Sequence, residues 1–115
     1  MDKKHLAALH ERREAARAAP RPDALAKIRE QGKLTARERI DVLLDAGSFV
    51  EMGVLGRSGH PDLRDRTPAD GLITGHGTID GRVVYVAADD VTVLGGTRGR
   101  VGEIKLSRVR QAALA

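Results

Sequence analysis

Cysteine is absent from the 115 residues, which excludes disulfides and thiolate metal sites and permits a reducing compartment. Tryptophan is absent too, and Phe49 and Tyr85 are the only aromatic residues. A core must therefore come from Ala, Val, Leu and Ile, and since Ala buries little area the expected stability is marginal. No apolar run approaches the ~18 residues of a membrane span. The start, Met1-Asp-Lys-Lys-His-Leu, lacks the apolar stretch of a secretory signal, and Asp2, Glu11 and Glu14 oppose a mitochondrial leader. The expectation is a cytoplasmic protein with no membrane partner.

The chain has the length of one small domain, burying about 65% of its unfolded surface. A net charge of +4 raises the question of nucleic acid. Most basic residues, however, alternate with acids, as in Glu11-Arg-Arg-Glu14 and Arg37-Glu38-Arg39-Ile-Asp41, the pattern of solvated helix faces. Only the last stretch is biased, with Arg98, Arg100, Lys105, Arg108 and Arg110 against Glu103. Without aromatic stacking platforms or a known binding signature, no nucleic-acid partner is expected.

Residues 2–18 read as a helix ended by Pro20 and Pro22, and 23–31 as a second helix with Asp23 as its N-cap and Gly32 as its stop. Thr35-Ala-Arg-Glu38 has the form of a capping box. The helix behind it places Ile40, Leu43 and Leu44 on one side and closes at Gly47. Residues 1–46 thus form an expected helical arm. Phe49-Val-Glu-Met reads as a short strand, 56–69 as a loop, and 71–79 and 82–88 as strands joined by Asp80-Gly81, a hairpin signal for a type I′ turn. The continuous run Val83-Val-Tyr-Val86 predicts a strand covered on both faces. A final helix presents Val101, Ile104, Val109 and Ala112 on one face. Strand, glycine turn and helix make half of a strand–helix–strand unit, so the pattern reads as the opening of a longer domain.

Gly95-Gly96-Thr-Arg-Gly99, running into that helix, admits two readings. Backbone amides and the helix dipole can seat an anion there, with Arg98 and Arg100 adding charge. Alternatively the glycines serve only a tight turn. The loop is neither a Walker P-loop nor a Gly-x-Gly-x-x-Gly fingerprint. Asp89 and Asp90, adjacent on a strand, point to opposite faces and read as turn residues. His5, His10, His60 and His76 show no ligand spacing, so no metal is expected.

Three blocks carry a resemblance. Gly32-Lys-Leu-Thr-Ala-Arg-Glu-Arg-Ile40 with Leu43-Leu-Asp-Ala-Gly-Ser-Phe-Val-Glu51, then Asp70-Gly-Leu-Ile-Thr-Gly-His-Gly-Thr-Ile-Asp-Gly-Arg82, then Asp90-Val-Thr-Val-Leu-Gly-Gly-Thr-Arg-Gly99 resemble the opening of the biotin-dependent carboxyltransferases, the β subunits of propionyl-CoA and related acyl-CoA carboxylases. They stand in the family's order and spacing across roughly 32–110. Val91 and Thr97 depart from the family's usual Phe and Ser, a difference that bears on acyl-chain preference.

The resemblance implies an α/β chain, the amino-terminal part of a crotonase-like fold, with 1–46 as a preceding helical arm and 47–115 as the start of the acyl-CoA domain. It implies transfer of a carboxyl group from carboxybiotin, held on a partner carrier protein, to the α-carbon of an acyl-CoA. Oxyanion holes of backbone amides stabilise the enolate-like charge in such chemistry. The family's catalytic amides lie downstream of Ala115, so no catalytic residue is expected within this chain and the chain alone is expected to be inactive. Gly95, Gly96, Thr97 and Arg98 are the candidate acyl-CoA-binding residues, in a supporting role. Implied partners are acyl-CoA, a biotin carboxylase and biotin carboxyl carrier component, and further copies of the subunit. The other reading is a non-catalytic acyl-CoA-binding or scaffold module derived from that family.

Overall fold

The computed structural model describes residues 2–18, 20–93 and 99–115. Helices α1 (Lys3–Ala16), α2 (Pro22–Glu30) and α3 (Ala36–Leu43) precede strands β1 (Val50–Met52), β2 (Leu72–Ile79) and β3 (Arg82–Asp89), and α4 (Arg100–Leu114) closes the chain. A short 3₁₀ turn, Pro61–Arg66, and a turn with left-handed backbone, Pro68–Gly71, lie in the connection between β1 and β2. The sheet is antiparallel in the order β1-β2-β3.

Each helix start has a local cause. Asp2 accepts the Lys4 amide at the head of α1. In α2 the expected Asp23 cap is corrected: Pro22 takes the first helical position, where a missing amide costs nothing, and Asp23 lies in the first turn. The capping box of α3 is complete, with the Glu38 amide donating to the Thr35 hydroxyl and the Thr35 amide donating to the Glu38 carboxylate. That carboxylate also receives both Arg29 guanidinium nitrogens from α2. The Arg29 hydrogen bond, then the Thr35 amide, hold the Glu38 acid down to about 2.

The third helix stops earlier than Gly47. Leu44 is already extended, and its side chain still reaches the core while Leu43 is left 54% exposed. Asp45 then turns back onto the hairpin. It accepts the Thr78 hydroxyl at 2.6 Å and the Asp80 and Gly81 amides at 3.0 Å each. Asp80 (φ 49°) and Gly81 (φ 80°) both occupy the left-handed region, as a type I′ turn requires.

The core is Ala36, Ile40, Leu44 and Ile73, with Phe49, Ile79, Val84, Val86 and Ala88 against it. It is the layer between α3 and one face of the sheet. Gly75 lets β1 approach there: a Cβ at that position would lie 2.2 Å from the Val50 carbonyl oxygen and 2.6 Å from the Phe49 ring. The two-sided burial expected for Val83–Val86 does not occur. Val84 and Val86 face α3, whereas Val83 is 67% exposed and Tyr85 packs its ring against His76, because α4 covers only part of the other face.

Candidate functional site

The face of α4 that meets the sheet keeps Val101, Val109 and Ala112 of the expected set, while Ile104 lies off it and Lys105 takes a place in it. Gly102, Lys105 and Val109 are buried, Val101 and Ala112 are half-buried, and Ile104 is 45% exposed. Lys105 lies four residues after Val101 and four before Val109, inside the apolar stripe, and its aliphatic stem packs beside Gly53 and Gly56. It does not belong to the basic surface formed by Arg100, Arg108 and Arg110, which are exposed.

What receives the Lys105 ammonium is the turn that leads into β2. Ala69 (φ 56°) and Asp70 (φ 49°) are both left-handed, and both are buried. Such a conformation costs on the order of 1–3 kcal/mol per non-glycine residue unless neighbours over-determine it. Here they do. The Lys105 ammonium donates to the Ala69 carbonyl at 2.8 Å and to the Leu72 carbonyl. The Asp70 carboxylate reaches the other way and accepts the Gly102 amide at 2.7 Å. It caps α4, whose own Gly99 supplies no capping side chain. A Cβ at Gly99 would lie 2.6 Å from one Asp70 carboxylate oxygen, so the close approach of the two segments depends on glycine.

Lys105 is 6% exposed, and burial draws its ammonium down to about 8. Glu51 and Asp70 oppose the shift and Arg37 reinforces it. Arg37 in turn pairs with Glu51, whose side chain is 2% exposed, and donates to the Ala16 carbonyl at the end of α1. Arg17 adds a second, longer contact to Glu51 at 3.6 Å. Asp70 and Lys105 thus join the first turns of α4 to the 69–72 turn, and Arg37 and Glu51 join the start of α3 to β1 and the end of α1.

Two clefts open beside this network. One, of about 740 Å³, lies between α2 and the end of β3 and is lined by Lys27, Lys33 and Arg39 together with Asp89 and Asp90. The other, of about 450 Å³, lies between the end of α1 and the 68–73 segment. Asp90 and Thr92 line both. Asp90 is a turn residue, its carboxylate accepting the Thr92 amide and hydroxyl while its own amide donates to the Gly71 carbonyl. His76 is a half-buried strand residue. Among the described residues no three His, Asp or Glu side chains converge as a metal site would need.

Gly95, Gly96, Thr97 and Arg98 lie outside the described residues. Their flanks are defined: Val93 is buried before them and Gly99 follows against Asp70. The helix amino terminus proposed from the sequence as an anion seat already holds a carboxylate from within the chain. Asp70 and Lys105 were not singled out by sequence reasoning. For Lys105 the signal was there, a cation at the centre of an i, i+4, i+8 apolar stripe.

Residues 27–115 match the carboxyl transferase domain family. The chain is 46% identical, over 95% of its length, to the biotin-dependent acetyl-/propionyl-coenzyme A carboxylase beta5 subunit of Mycobacterium tuberculosis, of which it covers 20%. It is 45% identical over 92% of its length to the propionyl-CoA carboxylase beta chain of Roseobacter denitrificans, covering 21% of that protein. Among solved structures, transcarboxylase 12S with methylmalonyl-coenzyme A and methylmalonic acid bound superimposes with a TM-score of 0.87 at 37% identity, across 99% of this chain and 23% of that one. A single-chain, multi-domain long-chain acyl-CoA carboxylase gives 0.88 at 38% identity, across 99% of this chain and 13% of that one.

The chain belongs to the carboxyl transferase family of the acyl-CoA carboxylases, and its fold is the amino-terminal part of that family's crotonase-like α/β domain. It spans about a fifth of the length of the curated relatives it matches. No helix among the described residues is long and apolar enough to cross a membrane.

Proposed function

We propose that the chain is part of a cytoplasmic acyl-CoA carboxylase carboxyltransferase, which moves a carboxyl group from carboxybiotin to the α-carbon of an acyl-CoA. Residues 1–46 serve as a helical arm and 47–115 begin the acyl-CoA-binding domain. The observation that carries the reading is the match across residues 27–115, supported by a superimposable relative that holds methylmalonyl-coenzyme A. The working assembly contains further copies of the subunit and a biotin carboxylase and biotin carboxyl carrier component, which brings carboxybiotin as a substrate.

Within this chain Gly95, Gly96, Thr97 and Arg98 contribute to the acyl-CoA site, and no residue is assigned a catalytic role. The Asp70 carboxylate beside Gly99 repels an anion at that point, which favours a neutral acceptor or donor, the thioester or the pantetheine arm, next to the start of α4. The CoA phosphates are better met in the 740 Å³ cleft, whose volume lies within the usual range of ligand pockets and whose lining carries Lys27, Lys33 and Arg39.

Calorimetric titration of propionyl-CoA, with carboxyl transfer from carboxybiotin assayed in parallel, tests this. The reading expects saturable, salt-weakened binding and no turnover above buffer by the 115 residues alone. Turnover by the chain alone contradicts the assignment of catalysis elsewhere, and absence of any saturable heat contradicts the acyl-CoA role.

A further inference from the structure

We propose that the outer edge of β3 is a self-pairing surface, through which two copies of this chain join antiparallel, about a two-fold axis at Val86, into one continuous sheet. The pairing does not depend on the acyl-CoA reading.

The hairpin sets which backbone groups face outward. β3 is an edge strand, bonded to β2 alone. In a hairpin closed by two residues, the flanking pair, here Ile79 and Arg82, exchange backbone hydrogen bonds. Arg82, Val84, Val86 and Ala88 therefore bond to β2, while the amides and carbonyls of Val83, Tyr85 and Ala87 point away from it. Among the described residues those outward groups have no partner.

Natural edge strands are blunted by a bulge, a proline, a lysine or a short length, because an open ladder templates further pairing. β1, the other edge, has three residues. β3 has eight, Arg-Val-Val-Tyr-Val-Ala-Ala-Asp, with no proline or lysine and with charges only at its two ends. Its register runs unbroken from Leu72 opposite Asp89 to Ile79 opposite Arg82, so no bulge turns it aside. Val83 and Tyr85 add exposed apolar surface beside the open ladder.

A second copy fits because the strand complements itself. A two-fold axis perpendicular to the sheet keeps α3 on the same face in both copies, and makes the contact isologous. Centred on Val86, it lets Tyr85 and Ala87 of each copy exchange backbone hydrogen bonds with Ala87 and Tyr85 of the other. Val86 then meets Val86 of the second copy, Val84 meets Ala88, and Arg82 lies opposite Asp90. Asp90 engages Thr92 through one carboxylate oxygen, which leaves the other for the arginine. Moving the axis to Tyr85 opposes Asp80 to Asp90 instead, two like charges face to face. Charge thus selects the Val86 register.

Sedimentation of the full 115-residue chain, as wild type, Arg82→Glu and the double variant Tyr85→Lys/Ala87→Lys, tests the surface, with circular dichroism confirming each fold. The chain has no cysteine, so oxidative cross-linking of Val86→Cys and of Tyr85→Cys tests the register. The wild type should dimerise reversibly. The double variant sets lysine opposite lysine of the second copy and should weaken the dimer at least about tenfold, and Arg82→Glu about fivefold. Val86→Cys should form the disulfide dimer faster than Tyr85→Cys.

A wild type that stays monomeric at about 200 μM overturns the proposal. So does a dimer that the double variant leaves unchanged, since it would join through another surface. Faster cross-linking of Tyr85→Cys overturns the axis at Val86. If the double variant does not fold, Val86→Cys decides, and failure to form a disulfide dimer overturns the pairing.

Discussion

Arg37 meets Glu51 through both terminal guanidinium nitrogens, at 2.9 and 3.1 Å, and joins the start of α3 to the centre of β1. The carboxylate is almost wholly enclosed while the guanidinium keeps partial access to water. Removing the acid leaves a cation without its partner, whereas removing the cation strands an enclosed carboxylate with only the 3.6 Å contact to Arg17. Glu51→Gln should lower stability by about 2 kcal/mol, and Arg37→Met by about 3 kcal/mol or more, since the stranded group is the better buried one. Urea denaturation of both variants checks the order, and Glu51→Gln as the costlier change contradicts it.

Lys105 makes stability rise with pH in a window that few groups share. Its folded-state ammonium titrates at about 8, against 10.5 for an ordinary lysine. Between those values the unfolded chain binds more protons than the folded one, so the slope of unfolding free energy against pH is positive there. Below about 8 the amine is protonated in both states and the burial penalty is constant. Subtracting the Lys105→Met urea midpoints from those of the wild type across pH 7 to 10 should isolate this rise. A flat difference contradicts it.

Asp45 makes an acid-side counterpart. The Thr78 hydroxyl first, then the Gly81 and Asp80 amides, hold its carboxyl below the ordinary aspartate value. The stabilisation is present above the unfolded value and is lost as pH falls through the folded one, so it fades below pH 4. Asp45→Asn, which keeps one acceptor oxygen, should melt below wild type at neutral pH and converge with it in acid. Identical melting temperatures at pH 7 would show that the turn needs no charge.

Close approach at Gly75 predicts an asymmetric response to one added methyl. Gly75→Ala places a Cβ 2.2 Å from the Val50 carbonyl oxygen and against the Phe49 ring, so β1 must move. A loss of about 2–3 kcal/mol follows. Gly59→Ala meets nothing within 4 Å and should stay within about 0.5 kcal/mol of wild type. Comparable losses from the two contradict the packing of β1 on β2.

Features set by neighbouring residues were legible in the sequence. The capping box needs only Thr35 and Glu38, and the hairpin turn only Asp80 and Gly81, so both formed as read. What depends on distant partners was not legible. Val83 and Tyr85 look like a buried strand until the extent of α4 is known. Asp70 looks like a turn former until α4 brings the Gly102 amide to it, and Lys105 looks like one of several surface cations. The family could be read because its three blocks keep their order, and that reading names a site at residues 95–98 without showing what supports it.

The most direct test of the account is the footprint of propionyl-CoA on the assigned ¹⁵N spectrum of the chain. The account predicts that the largest shifts fall at residues 90–93 and 99–105, with weaker, salt-sensitive ones at Lys27, Lys33 and Arg39 in the larger cleft. Largest shifts elsewhere, on α1 or at the exposed Val83 and Tyr85 for example, would contradict the proposed acyl-CoA site at residues 95–98.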